Sequence, residues 1–383
     1  MTTFAPLFVP ERLRAAVADE AWLEAMLDAE RGLATSLARL GVIPEGAAAA
    51  VVAKCDPNLF DVEQIAERGR AVANPAEPLV RALREQVGGE DARYAHYGAT
   101  SQDIVDTAAM LVARRAVALI VEDMVGLEQE CSRLAAEHRS TPMAARTLLQ
   151  QAVPTTFGYK AALWLAAVRD ARAGLEQLEF PAQLGGAAGT VAPYGDHGVE
   201  VSAAFAAELR LADPVVPWHT NRAPIARIGA ALGAAARASA KIGLDVVLLA
   251  QTEVAEVAEE QPGGSSTMPH KRNPVRAVLA RACSRGALGY IGVLAGGEYE
   301  HERAAGAWQA EWDALSGALA LSGGAVAAAR ESLGGLQVDA ERMRANMSDD
   351  VLSEQRSFGG DGSDPGSYLG SAEAFVDRVL EAK

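Results

Sequence analysis

A long apolar stripe between residues 225 and 249 constrains the fold of this chain more than any other feature. Apolar residues recur there at alternating steps of three and four, and Ser239 fills the one gap: Ile225, Ile228, Leu232, Ala235, Ile242, Val246 and Leu249. This period places them on one side of an α-helix as a continuous buried face. We therefore predict a helix over residues 225–260, packed in a bundle.

Other segments with few helix breakers predict further helices. Residues 104–139, for example, contain no proline and a single glycine. The predicted helices, besides 225–260, are 11–41, 104–139, 155–179, 274–295, 303–331 and 371–382. Long helices with sustained apolar faces favour a bundle, often one formed between subunits. The predicted fold class is therefore all-α, with a long-helix bundle as its core.

Breaks in this pattern predict three domains. Residues 1–90 are interrupted by prolines and read as short helices with turns, which makes a small N-terminal helical domain. The long helices fill a central domain over residues 91–331. Residues 332–383 form the C-terminal domain, in which the polar, Gly-rich stretch 349–370 reads as a loop or flexible linker.

Charge and cysteine usage limit the partners that we expect. The chain has 35 Lys and Arg against 50 Asp and Glu, a net charge of −15. Nucleic acids and anionic membranes bind basic patches, so neither is expected as a partner. Three scattered cysteines predict neither a disulfide framework nor a metal cluster. No signal peptide and no apolar, charge-free membrane span is visible, which predicts a cytoplasmic protein.

The segment 261–274 is a polar connection between two predicted helices. Two glycines are followed within nine residues by two adjacent hydroxyls, a lysine, an arginine and an asparagine. Such a loop offers several donors to a carboxylate and could close over it. A simple polar interhelical connection is the alternative.

A second polar segment, residues 94–107, leads into the predicted helix 104–139 and includes its first turn. The run Thr100-Ser101-Gln102-Asp103 is a possible capping box, and free amides at a helix start can bind an anion. An ordinary helix cap is the alternative here.

The order of residues in 264–273, Gly-Ser-Ser-Thr-Met-Pro-His-Lys-Arg-Asn, closely resembles the signature loop of the fumarase/aspartase superfamily. The resemblance implies that Ser265 is the catalytic acid/base and that Lys271 and Asn273 hold a substrate carboxylate, with Lys271 also counted as catalytic. Ser266 and Met268 are expected to contact the substrate.

Residues 94–107 are similar to another region that the superfamily shares. The form Gly-Ala-Thr-Ser-Gln-Asp at 98–103 resembles the cycloisomerase branch. The resemblance implies that Thr100, Ser101 and Gln102 bind substrate and that His96 borders the site.

A third region, residues 145–154, resembles the superfamily pattern Thr-His-x-Gln-x-Ala-x-Pro. It implies substrate contacts for Arg146, Thr147 and Gln150. Leu148 stands where fumarases and adenylosuccinate lyases carry a functional histidine. Expulsion of water or an amine needs an acid, whereas a carboxylate is ionised at pH 7 and attacks or leaves without a proton. The leucine therefore favours lactone chemistry.

Three further segments are similar to the cycloisomerase branch. They are residues 183–189, the Trp-His-Thr-Asn-Arg run at 218–222, and residues 300–312. The resemblance implies that His219, Arg222 and Arg303 bind substrate, while Arg272 is a weaker candidate. Taken alone, 218–222 reads better as a helix-entry turn, and 300–312 reads equally well as a solvated helix start.

The resemblance implies the conversion of 3-carboxy-cis,cis-muconate to 4-carboxymuconolactone, a step in protocatechuate breakdown by the β-ketoadipate route. It implies a small polycarboxylate substrate, no cofactor, no metal, and a homotetramer whose active sites are shared between subunits. It also implies a reduced third domain. The alternatives are an adenylosuccinate-type or nitrosuccinate-type lyase of the same fold, and a non-catalytic helical scaffold.

Overall fold

The computed structural model describes residues 4–264, 266–297 and 299–382, and these are predominantly α-helical. The helices are α1 Ala5–Phe8, α2 Glu11–Ala16, α3 Asp19–Arg39, α4 Glu45–Val52, α5 Val62–Gly69, α6 Ala76–Val87, α7 Ser101–Glu137, α8 Phe157–Glu176, α9 Gly198–Glu208, α10 Ala223–Leu249, α11 Val275–Ala295, α12 Ala307–Leu333, α13 Ala340–Ala345, α14 Ser353–Ser357 and α15 Ala372–Glu381. The predicted fold class, with its long helices, is confirmed.

Among the described residues, four short strands accompany the helices: β1 Pro142–Thr147, β2 Gln150–Thr156, β3 Val257–Ala258 and β4 Gln337–Val338. β1 pairs with β2 and β3 with β4, both antiparallel. The sequence analysis predicted neither pair.

The chain divides into two compact units. The first contains Met1–Leu119, Gln177–Leu232 and Ala287–Ala320, and the second contains Ile120–Glu176, Gly233–Gly286 and Leu321–Lys383. The three predicted domains, 1–90, 91–331 and 332–383, stay a prediction.

The apolar stripe of α10 is buried as predicted. All its apolar members are at most 4% exposed, and Ser239 is fully buried with its hydroxyl donating to the Ala235 carbonyl at 2.9 Å. The predicted helix end at residue 260 was wrong, because α10 stops at Leu249. A turn follows in which Ala255 has a φ of +51°, and it brings the Glu256 amide to 2.9 Å from the Leu249 carbonyl.

Two other helix boundaries show what the local sequence dictates. α7 begins at Ser101, and the Asp103 carboxylate accepts from the Thr100 amide at 2.9 Å, which is half of the predicted capping box. The single helix predicted over 11–41 was wrong, because Ala18 is extended with a ψ of 165°. Asp19 then opens a new helix, where a negative charge stabilises the first turn.

The β1–β2 hairpin ends in an unusual turn. Thr147 pairs with Gln150, which leaves Leu148 and Leu149 as a two-residue loop with φ of +50° and +65°. Such turns normally use Asn-Gly, since a left-handed backbone costs other residues about 1–2 kcal/mol. The two side chains are 98% and 76% exposed, so packing against the described residues does not offset this strain.

The C-terminal segment is more ordered than the sequence predicted. The stretch 349–370, predicted as irregular, contains α14 and short 3₁₀ turns at Asp349–Leu352 and Pro365–Ser367. Val351 and Leu352 hold it in place, because they pack on Ala144 of β1. The final helix, predicted at 371–382, is confirmed as α15.

Helix α11 departs from the expectation that no stretch is apolar enough for a membrane span. It has 21 residues, and its most apolar window reaches a mean hydropathy of 1.2. By length and composition alone, it could span a membrane. A core helix of a soluble protein can be equally long and apolar. Three of its large apolar side chains, Val278, Leu288 and Val293, are between 41% and 48% exposed.

Candidate active site

The Asp103 carboxylate contacts several of the predicted site segments in the first unit. It is fully buried and accepts from the amides of Gly185 at 2.8 Å and Gly186 at 2.9 Å, in addition to the Thr100 amide. The His219 ring contacts it through Nε2 at 2.7 Å. One side chain thus fixes the start of α7, the Gly-rich segment 183–189 and the Trp-His segment to one another.

One turn further along α7, Asp106 forms a buried ion triad with Arg222 and Glu311. The Arg222 guanidinium donates to Asp106 through Nη1 at 2.7 Å and Nη2 at 2.9 Å, and to Glu311 through Nε at 3.1 Å and Nη2 at 2.5 Å. Burial works against the charged form, but the two carboxylates outweigh it and raise the pKa of Arg222. The indole of Trp308 also donates to Asp106, at 2.9 Å.

Three predicted substrate ligands therefore lie in this buried layer. Gln102 is fully buried, and its amide donates to Asp106 at 3.2 Å and to the His219 carbonyl at 2.9 Å. His219 and Arg222 are 3% and 5% exposed, and their bonds go to the carboxylates of the chain itself. These contacts favour a positioning role for Gln102, His219 and Arg222 rather than direct contact with a substrate.

Thr100 and Arg303, both predicted to bind substrate, are brought together. Arg303 Nη1 donates to Thr100 Oγ1 at 2.5 Å, and both residues are half-buried, as is Ser101. The segment that carries Arg303 is tied to the buried layer, because the Tyr299 hydroxyl donates to Glu311 at 2.6 Å. The Thr100 and Ser101 hydroxyls and the Arg303 guanidinium form one partly open, cationic face.

His96 lies in the same unit and pairs with a buried carboxylate. Its Nδ1 is 2.6 Å from Glu30 Oε1, and Glu30 is only 1% exposed. Burial of the ring lowers the pKa of His96, but the charge and hydrogen bond of Glu30 outweigh burial and raise it above 6.5. The residue also has a left-handed backbone with a φ of +60°, a conformation that is costly outside glycine.

The hairpin residues that were predicted to bind substrate belong to the second unit. Arg146 makes a two-pronged ion pair with Glu256, at 3.0 Å from Nη1 and 2.6 Å from Nη2, and the Glu256 side chain is fully buried. Asn346 donates to the same carboxylate at 2.9 Å. Thr147 and Gln150 are exposed beside the turn.

The predicted signature loop is also in the second unit, and a backbone bridge closes its base. The Gly263 amide donates to the Asn273 carbonyl, and the Asn273 amide donates back, both at 2.9 Å. The Asn273 side chain donates to the Gly263 carbonyl at 3.2 Å. Among the described loop residues, Ser266, Met268 and Lys271 are exposed. Ser265, the predicted acid/base, lies outside the described residues.

The sequence analysis missed the organising role of five acidic residues: Glu30, Asp103, Asp106, Glu256 and Glu311. A signal existed for two of them, since Asp103 and Asp106 stand three apart at the start of a predicted helix and so share one face. Over the described residues, no cluster of three or more His, Cys, Asp or Glu side chains is arranged to hold a metal ion.

Replacing Glu30 by Gln tests the His96–Glu30 pair. Because the pair raises the pKa of His96 in the folded state, its contribution to stability is complete below the unfolded pKa of about 6.5. That contribution is lost as pH rises through the folded pKa. We expect Glu30→Gln to lower the free energy of unfolding by about 1–3 kcal/mol at pH 6, and by less or not at all at pH 9. Denaturant unfolding at both pH values measures this.

Glu200→Gln is the matched control for this substitution. His197 Nδ1 is 3.1 Å from Glu200, but both side chains are more than 60% exposed. Surface pairs of this kind contribute little, so the control is expected to leave stability unchanged. A loss in Glu30→Gln that is the same at pH 6 and pH 9 would contradict the account.

Comparison with known proteins agrees with the helical fold. A model of a family described as lyase matches residues 10–289. A nitrosuccinate lyase of Streptomyces davaonensis is 48% identical over 88% of this chain and 74% of its own length. A 3-carboxy-cis,cis-muconate cycloisomerase of Bradyrhizobium diazoefficiens is 44% identical over 90% of this chain and 78% of its own length.

Among solved structures, the 3-carboxy-cis,cis-muconate lactonizing enzyme of Pseudomonas putida superposes with a TM-score of 0.93. It is 34% identical, and the match covers 99% of this chain and 98% of the other. The family match spans well over half of the chain, and both relatives are aligned over most of their length. The chain is therefore an enzyme of the lyase family, within the fumarase/aspartase superfamily.

Proposed function

We propose that this enzyme is a 3-carboxy-cis,cis-muconate cycloisomerase that interconverts this tricarboxylate and 4-carboxymuconolactone. The proposal places it in protocatechuate breakdown. It needs no cofactor or metal, because the reaction moves one proton and one carbon–oxygen bond within a single substrate.

The observation that carries the proposal is the apolar hairpin turn. Its tip presents the leucines 148 and 149, between Thr147 and Gln150, and none of these four side chains titrates near pH 7. A lyase that expels water or an amine needs an acid at the leaving group. Lactonisation does not, since the attacking group is a carboxylate of the substrate itself. This disfavours an adenylosuccinate-type reaction.

Substrate binding is assigned by exposure. Thr100, Ser101 and Arg303 form the partly open face of the first unit, and they are proposed to bind a carboxylate directly. Lys271 and Asn273 are proposed to do so from the signature loop, where Ser266 and Met268 are proposed to contact the substrate. The buried Gln102, His219 and Arg222 are proposed to hold this machinery in position. Arg146 holds the hairpin through Glu256 while its tip residues, Thr147 and Gln150, face the substrate.

The proposed chemistry is an addition across a double bond. A carboxylate oxygen of the substrate bonds to one alkene carbon, and the electron pair moves to the neighbouring carbon, where an adjacent carboxylate delocalises it. Ser265 delivers a proton to that carbon, and in the reverse direction it removes the same proton. Lys271 and Asn273 stabilise the negative charge that develops.

Nitrosuccinate lyase is the second candidate, favoured by the 48% identity to the Streptomyces davaonensis enzyme. Nitrite also leaves as a stable anion, so the leucines of the hairpin turn are compatible with that reaction. Nitrosuccinate carries two carboxylates, whereas the muconate substrate carries three. The number of uncommitted cations in the site therefore distinguishes the two.

We also propose a cytoplasmic homotetramer in which the 94–107 segment, the hairpin and the signature loop of one site come from different subunits. Two exposed features support assembly: the partly exposed apolar face of α11 and the strained leucines of the hairpin turn. Association would cover both. Burial of this face between subunits would explain the apolar composition of α11, so no membrane is needed to explain it.

Sedimentation velocity tests the assembly. We expect a single species of about 160 kDa, four times the 40.0 kDa chain, that carries all the activity. A stable monomer with full activity would contradict shared active sites.

An ultraviolet assay with 3-carboxy-cis,cis-muconate tests the proposed reaction. The wild-type enzyme is expected to consume the conjugated-diene absorbance. Ser265→Ala is expected to lower kcat by roughly 10²–10⁴-fold, the usual contribution of a positioned acid/base.

Ser266→Ala is the matched control, one residue away and proposed to bind rather than transfer a proton. This substitution is expected mainly to raise KM, and to lower kcat by less than about tenfold. If the wild-type tetramer leaves the absorbance unchanged, the cycloisomerase proposal fails and nitrosuccinate becomes the substrate to test.

A further inference from the structure

A small cavity in the first unit adjoins the proposed carboxylate face. It measures about 190 Å³ and is lined by Glu77, Val80, Arg81, Arg84, His96 and Ser101. Ser101 is a proposed substrate contact, and His96 was predicted to border the site. The α6 side chains that complete the lining have no role in the account so far.

Arg84 is exposed, and hydrogen bonds to a backbone carbonyl hold its side chain at this cavity. Its guanidinium donates from Nε at 3.3 Å and from Nη2 at 3.0 Å to the carbonyl of Ala95, the residue that precedes His96. These bonds use Nε and Nη2, and Nη1 has no hydrogen-bond partner among the described residues. Over the described residues, no carboxylate lies within ion-pair distance of Arg84.

The other charged groups of the cavity are matched within the chain. Arg81, one turn before Arg84, pairs with Glu77 at 2.5 Å, and His96 pairs with Glu30. Within the part of the chain that the structure describes, Arg84 is therefore the cation of the lining that has no ion-pair partner. Ser101 in the lining is the first residue of the 37-residue helix α7, where the helix dipole favours negative charge.

We propose that Arg84 binds one carboxylate of the substrate at this cavity and makes the enzyme select tricarboxylates over dicarboxylates. This inference rests on the proposed function and names the residue that determines its substrate class. The forked guanidinium suits the role, because it fits a carboxylate through paired hydrogen bonds.

Two inert probes test the selection directly. Tricarballylate and glutarate share a five-carbon chain and differ by the central carboxylate, and calorimetric titration gives their Kd values. The wild-type enzyme is expected to bind tricarballylate more tightly. Arg84→Gln is expected to raise the Kd for tricarballylate by roughly 10- to 100-fold and the Kd for glutarate by less than about threefold.

Arg81→Gln is the matched control, since Arg81 lines the same cavity but is already paired with Glu77. It is expected to change neither Kd by more than about twofold. Equal binding of the two probes by wild type, or equal losses for both probes in Arg84→Gln, would overturn the inference.

Turnover separates this inference from the proposed function. With 3-carboxy-cis,cis-muconate, Arg84→Gln is expected to raise KM roughly 10-fold or more while kcat stays within about threefold of wild type. If wild type binds tricarballylate selectively through Arg84 but leaves the muconate unchanged, the proposed function fails and the inference about Arg84 stands.

Discussion

Two carboxylates at the start of α7, Asp103 and Asp106, hold the first unit's site together. Asp103 accepts from the Thr100, Gly185 and Gly186 amides and contacts His219, while Asp106 accepts from Gln102, Arg222 and Trp308. Because they stand three residues apart on a helix, both point to the same side. Four segments, distant in sequence, are fixed by two side chains.

This arrangement separates a rigid buried layer from the groups that are open to a substrate. Buried charges are tolerated only when they are fully paired, and removal of one partner typically costs about 3–5 kcal/mol. Arg222, between Asp106 and Glu311, meets that requirement. The polar groups left open are those without such partners, among them Ser101, Arg303 and Arg84. The sequence analysis gave Arg222 and Arg303 the same role, since residue type does not distinguish them. Their surroundings differ, since Arg222 is buried between two carboxylates and Arg303 is partly open to solvent.

Local patterns in the sequence predicted much of the fold. The apolar stripe of α10 and the cap at Thr100 depend on residues that are close in sequence, so both could be predicted from the sequence alone. The hairpin was missed because its Leu148-Leu149 turn has neither asparagine nor glycine, and the usual turn signal is absent. The helix at 225–260 was predicted too long because Glu256, which pairs with Arg146, is recruited by tertiary contact rather than by local pattern.

The site was predictable as a set of segments but not as a set of contacts. The motifs named Thr100 and Arg303 separately, yet their hydrogen bond joins residues 203 positions apart. Likewise, nothing local to Arg222 showed that Asp106 and Glu311 occupy its donors. Resemblance therefore named the candidate residues, and only the structure shows which of them are buried in ion pairs and which are open to solvent.

The central claim is that this site serves a tricarboxylate that closes to a lactone. The most direct test compares kcat/KM for 3-carboxy-cis,cis-muconate and for nitrosuccinate with the same enzyme in the same buffer. The account predicts a preference of roughly 100-fold or more for the muconate, because an unpaired binding cation penalises a substrate that lacks its carboxylate. A preference for nitrosuccinate of similar size would contradict it.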